Sequence, residues 1–86
     1  MQTVLKIDAR DNVVTCLRKV SKGDSISLGP ERVVSQSDIP AFHKMAVKTI
    51  KYGDMCYKYG EVIGKATKDI LPGEHVHTHN IISLRD

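Results

Sequence analysis

Leu17-Arg-Lys-Val-Ser-Lys-Gly-Asp-Ser-Ile26, Val47-Lys-Thr-Ile-Lys-Tyr-Gly-Asp-Met-Cys56 and Thr67-Lys-Asp-Ile-Leu-Pro-Gly-Glu-His-Val76 are three versions of one pattern. Each has a basic residue, an apolar one two places on, Gly three further, then an acid, and an apolar residue two beyond it. Such internal repetition marks a duplicated structural unit. Gly23, Gly53 and Gly73 stand where a tight turn needs positive φ, which glycine adopts without steric cost. Pro72 before Gly73 is the order of a type II turn. Each copy therefore reads as strand, tight turn, strand.

The remaining chain also reads as short strands. Thr3 to Ile7 alternates, Val13 to Leu17 is a compact apolar run, and Arg32 to Ser35 follows the Gly29-Pro30 turn. Glu61 to Thr67 and Asn80 to Leu84 complete the set. Ser35 to Pro40 reads as an irregular crossover, because Asp38-Ile39-Pro40 disfavours regular pairing. No stretch keeps a 3.6-residue apolar period for three turns, so helices are not expected. The expectation is an all-β fold, a small rolled domain spanning residues 1–86 as one unit.

Composition agrees. Nine Val, eight Ile and five Thr favour a pleated surface. Only 5% of residues are aromatic, so the core of this 86-residue chain must rest on Val, Ile and Leu. A chain this short buries little surface, and help is expected from a bound ion, a partner subunit or self-association. Thirteen basic residues against ten acidic ones give +3, a mild excess suited to small anions or an acidic partner surface. Cys16 and Cys56, with no CxxC pattern, read as reduced, buried hydrophobes. Neither a signal peptide nor a membrane-spanning run is visible, and a cytoplasmic location is expected.

All four histidines lie at two places: His43, and His75, His77 and His79 in Gly-Glu-His-Val-His-Thr-His-Asn. Alternate residues of a strand share a face, so His75, His77 and His79 are expected to point outward while Val76 and Thr78 take the other side. Neighbours in that row would lie about 6.5–7 Å apart and could share an ion, whereas the outer two, about 13 Å apart, could not unless the strand bends. One His-x-His pair plus His43 or a partner's carboxylate is the expected site, suited to Zn, Fe, Mn or Ni. The plain alternative is an exposed polar strand. His43-Lys44 reads either as ordinary surface or as an anion site, with Lys44 the point charge and His43 a general acid or base. Glu61 is either a strand-entry residue or a ligand, and Glu74, aligned with Asp24 and Asp54, reads as turn chemistry.

The phosphate loop GxxxxGK[ST], the GxSxG elbow, the HExxH helix and a zinc ribbon are absent. Lysines are scattered and aromatics sparse, so no nucleic-acid surface is expected. The chain is also too poor in carboxylates and bulk to read as a complete enzyme.

Ile39-Pro-Ala-Phe-His-Lys-Met-Ala-Val-Lys-Thr-Ile, Tyr59-Gly-Glu-Val-Ile-Gly-Lys-Ala-Thr-Lys-Asp-Ile and Gly73-Glu-His-Val-His-Thr-His-Asn80 together resemble the SAF domain of the altronate and galactarate dehydratase family. One departure is Phe42, where the family usually has Gly before the His-Lys pair. The resemblance implies a β-clip-like fold and a lyase acting on a hydroxylated carboxylic acid with a divalent metal, iron or manganese. It implies ligand roles for His75, His77 and His79, catalytic roles for His43 and His77, and substrate binding by Lys44 and Asn80. Because the family's larger domain is absent, the chain is expected to be the small subunit of a two-chain enzyme, inert without its large catalytic subunit. The family also includes a sulfolactate lyase that releases sulfite rather than water. SAF domains occur as binding modules too, in sugar-processing and surface-assembly proteins.

Overall fold

The computed structural model describes residues 4–5, 9–28 and 31–84. Among them are nine short strands and no helix, the expected all-β fold. The strands are β1 (Val4–Leu5), β2 (Val13–Cys16), β3 (Ser25–Leu28), β4 (Glu31–Val34) and β5 (Lys44–Ala46). They continue with β6 (Met55–Lys58), β7 (Glu61–Ala66), β8 (His75–Val76) and β9 (Ile81–Ser83). An antiparallel sheet β1-β2-β5-β8 forms the centre, flanked by the hairpin β3-β4 and the three-stranded sheet β6-β7-β9. The Gly29-Pro30 turn and the outer residues of the Thr3–Ile7 run lie outside the described residues.

Period-two alternation lets the central sheet wall off two cores. Val14 and Cys16 of β2 and Met45 of β5 pack with Val20, Ile26, Val33, Ile39 and Val47 on one side. Val13 and Ala46 pack with Ile50, Cys56, Ala66, Ile70 and Val76 on the other. Leucine contributes less than composition suggests, since Leu17, Leu71 and Leu84 are exposed. Both cysteines are free and buried. Burial pushes the Cys16 thiol up to about 11, consistent with an inert hydrophobe.

The repeated unit occurs four times among the described residues, not three. The segment Ser35–Pro40 is the expected irregular crossover, from the β3-β4 hairpin to the central sheet, and within it Ile39 is fully buried and opens a further copy. Val20 and Ile39 exchange backbone hydrogen bonds of 2.9 and 2.7 Å, and Ile50 and Ile70 do the same at 2.8 and 2.7 Å. Tight turns follow at 21–24, 40–43, 51–54 and 71–74, each closed by an N–H of its last residue donating to the carbonyl of its first. The third residue has positive φ in all four: Gly23 92°, Phe42 69°, Gly53 87° and Gly73 91°. The copies dock reciprocally: Gly23 N donates to Ser35 O and Phe42 N to Cys16 O, as Gly53 N does to Ala66 O and Gly73 N to Ala46 O.

The segment before each turn was expected to be a strand, and it pairs through one residue only. The reason is chemical. Asp24, Asp54 and Glu74 accept the N–H of Ser21, Lys51 and Leu71, while Asp38 and Asp69 accept those of Lys22 and Tyr52. Donors that would extend a ladder are taken by carboxylates instead.

Candidate functional site

The additional copy, with turn 40–43, carries the first histidine. Position 40 is proline, which has no N–H. Turn 40–43 therefore has no donor for the carboxylate that clamps the other three turns, and residue 43 is released from that task. His43 stands there, half-buried, immediately before β5.

The other histidines come from the fourth turn, whose strand β8 pairs with β5 in the register Met45↔His75. The expected strand through His79 stops at Val76. Asn80 ends it. Buried, with only 2% of its surface exposed, it accepts the His77 N–H at 3.0 Å and donates to the His75 carbonyl at 2.8 Å. The backbone N–H groups of Asn80 and Ile81 both reach the His77 carbonyl. The chain bends, and imidazoles that a straight strand would spread apart converge. His75 and His77 stack with centroids 5.6 Å apart and planes 8° from parallel. His79 swings back to lie 5.5 Å from His75.

The group that meets is His43, His75 and His77, each with a ring nitrogen within 4.8 Å of the others. His43 Nδ1 and His75 Nε2 are 3.0 Å apart, so one donates and the other accepts. His79 lies outside this trio. Burial, then the charges of His43, His79, His77 and Lys44, hold His75 below the ordinary imidazole range and favour its neutral, ligating form. Three imidazole nitrogens suit a divalent transition metal. Bonds of about 2.0–2.1 Å need ligand atoms roughly 3.4 Å apart, a spacing small side-chain rotations would reach. The donor set fits, with His43, His75 and His77 as the residues that would hold the ion.

Lys44 opens β5, one residue after His43. It borders a cavity of about 270 Å³ that is also lined by Ile63, His77, Thr78, Ile81 and Ser83. Burial, and then the charge of Lys58, lowers its pKa from the usual lysine value. Asn80 faces the backbone of its own loop rather than this cavity. Glu61 is exposed at the start of β7, outside the trio, and Glu74 is engaged in its turn as expected. Sequence reasoning missed Thr78, Ile81 and Ser83, because their approach to Lys44 depends on the bend at Asn80.

The model of the altronate/galactarate dehydratase SAF domain matches residues 2–84. The chain belongs to that family. It is 40% identical over 80 residues to altronate dehydratase of Bacillus subtilis, covering 93% of this chain and 16% of that enzyme. With altronate dehydratase of Escherichia coli it shares 40% over 76 residues, 88% of this chain and 15% of the enzyme. With (2R)-sulfolactate sulfo-lyase subunit alpha of Paracoccus pantotrophus it shares 51% over 54 residues, 63% of this chain and 81% of that subunit. This SAF domain thus spans less than a fifth of the two dehydratases and is related to both dehydratase domains and a lyase subunit.

Proposed function

We propose that this SAF domain serves, as a small subunit or an N-terminal domain, in a cytoplasmic metal-dependent lyase that eliminates water from a hydroxylated carboxylic acid. The observation that carries the reading is the meeting of His43, His75 and His77, drawn from two turns 32 residues apart in sequence. Removing a proton α to a carboxylate concentrates negative charge on the acid. A divalent ion, iron or manganese, held by those imidazoles would supply charge to spread it. The proton held between His43 Nδ1 and His75 Nε2 must leave before both nitrogens can act as ligands. His79, its ring tilted against His75 but outside the trio, keeps its ring nitrogens for proton exchange with the acid. Lys44 attracts the substrate's charge, and Asn80 keeps the loop bent so that His75 and His77 face one point. The remaining walls of the site are assigned to the large catalytic chain.

A second reading, elimination of sulfite, is supported by the identity to the sulfo-lyase subunit over most of that subunit's length. Sulfite is the better leaving group and asks less of a general acid.

Co-purification from the native host with identification of the partner chain and bound metal tests the proposal. A stoichiometric large chain and iron or manganese are expected, with turnover of that complex reduced at least about 100-fold by His77→Ala. Unchanged turnover in His77→Ala would sink the role of the trio.

A further inference from the structure

We infer that the outer face of the sheet β6-β7-β9 is the docking surface for the large catalytic chain, and that it takes an apolar patch with a carboxylate near its centre. The identity of the partner rests on the lyase reading. The chemistry of the contact rests on this face alone.

The duplicated frame supplies an internal control. Gly23 N donates to Ser35 O and Ser35 N to Asp24 O, and Gly53 N donates to Ala66 O and Ala66 N to Asp54 O in the same way. Hairpin β3-β4 therefore corresponds to hairpin β6-β7, with Lys22 in the place of Tyr52, Ser25 in that of Met55 and Val34 in that of Lys65. Residues opposite each other on paired strands share a face. On β3-β4 the outer face is mostly polar: Ser25, Ser27 and Arg32 are exposed, and Arg32 Nη1 donates to Ser25 Oγ at 3.2 Å. A solvated face satisfies that frame.

The second hairpin carries the opposite chemistry. Met55, Lys65 and Ile82 form one row across the three strands. Met55 is 37% exposed, Ile82 55%, and Leu84, two residues further along the chain, 52%. Tyr52, in the turn before β6, is 73% exposed. The Lys65 side chain reaches the neighbouring Gly53, its Cε 3.9 Å from where a Cβ would stand. Folding does not need apolar groups at these places, since the first hairpin does with Lys22 and Ser25. Leaving them in water costs free energy that a partner's apolar surface recovers.

Lys65 decides which partner fits. It stands in the middle of the row, and among the described residues it makes no ion pair. A second copy docked about a two-fold axis would press this ammonium against apolar groups or its own counterpart, with no counter-charge. A different chain can place a carboxylate there. The net charge of +3 also favours an acidic partner surface.

The test uses the complex co-purified from the native host, separated and reconstituted with variants of this chain, its affinity measured by calorimetry. Ile82→Asp and Lys65→Glu should each weaken binding of the large chain about tenfold or more, while Ile82→Val and Lys65→Arg should stay within about threefold of the wild type. Ser25→Asp, on the polar face, should change nothing. Tyr52→Ala, outside the strands, should also weaken binding and serves where Ile82→Asp does not fold. Ile82→Asp and Lys65→Glu chains that bind as tightly as the wild type would overturn this face, and would leave the lyase reading standing where that complex turns over a hydroxy acid. A wild-type chain that dimerises, with the dimer abolished by Ile82→Asp, would overturn the large chain as the occupant. Weakened binding in a complex that has neither lyase activity nor bound metal would uphold the face while removing the lyase reading.

Discussion

Turns 21–24 and 40–43 face each other across the Val20–Ile39 bridge and follow the same backbone path. In the first, Asp24 clamps the Ser21 N–H and Gly23 takes positive φ without strain. In the second, Pro40 removes the donor, so the clamping position is open to an imidazole, and Phe42 holds a φ of 69°. Its ring is 75% exposed, so packing does not explain it. The same frame carries a carboxylate clamp in one copy and an imidazole in another, and proline makes the difference. Backbone geometry is held by the reciprocal bonds to Ser35 and Cys16, which tolerate the exchange.

The largest effect expected from breaking this equivalence is at the glycines. Both Gly23 and Gly73 have positive φ, but a Cβ on Gly23 meets nothing within 4 Å, whereas one on Gly73 would overlap the Val34 carbonyl. In urea denaturation Gly23→Ala should cost about 1 kcal/mol, from backbone strain alone. Gly73→Ala should cost roughly 3 kcal/mol or more, because the opposing strand end must move. Equal losses would mean that the fourth turn is looser than described.

Making the second turn resemble the first should separate chemistry from stability. Pro40→Ser with His43→Asp restores donor and clamp, and metal affinity should fall about 100-fold while the fold is kept. Asp24→Asn, which alters only the structural turn, should leave metal affinity unchanged in the same titration.

A third contrast concerns pH. Because the His75 pKa is lowered in the folded chain, the unfolded chain binds more protons there as pH falls. The associated stability is full above the ordinary imidazole value, about 6.5, and is lost as pH drops through the folded value. The urea midpoint of the metal-free protein should fall between pH 7.5 and 5.5, and fall less in His75→Gln.

The smallest effect is at Phe42. Phe42→Gly removes the left-handed strain of an exposed residue and should stabilise by about 0.5–1 kcal/mol, offset in part by glycine's entropy. A rise of a few degrees in Tm would register it.

Three of the four turns were legible in the sequence because Gly and an acid mark them. Turn 40–43 was hidden because it lacks both marks: Phe42 stands at the glycine position, His43 at the acid, and proline ahead of both. The fold class was readable from branched residues and turn spacing. The imidazole row was readable only as a list of candidates, since strand periodicity puts the ends of His75–His79 far apart. What draws them together is a side-chain bond pattern from Asn80, a residue whose orientation no period reports. The trio also needs β5 beside β8, a pairing between copies that local pattern does not specify.

Metal binding by the purified chain tests the account most directly. Equilibrium dialysis against Fe²⁺ or Mn²⁺ under anaerobic conditions should find about one ion per wild-type chain and almost none in His43→Ala, with the fold of both intact. Binding that is absent in the wild type, or unchanged when His43 is removed, would contradict the claim that turn 40–43 was released from structure to complete a metal site.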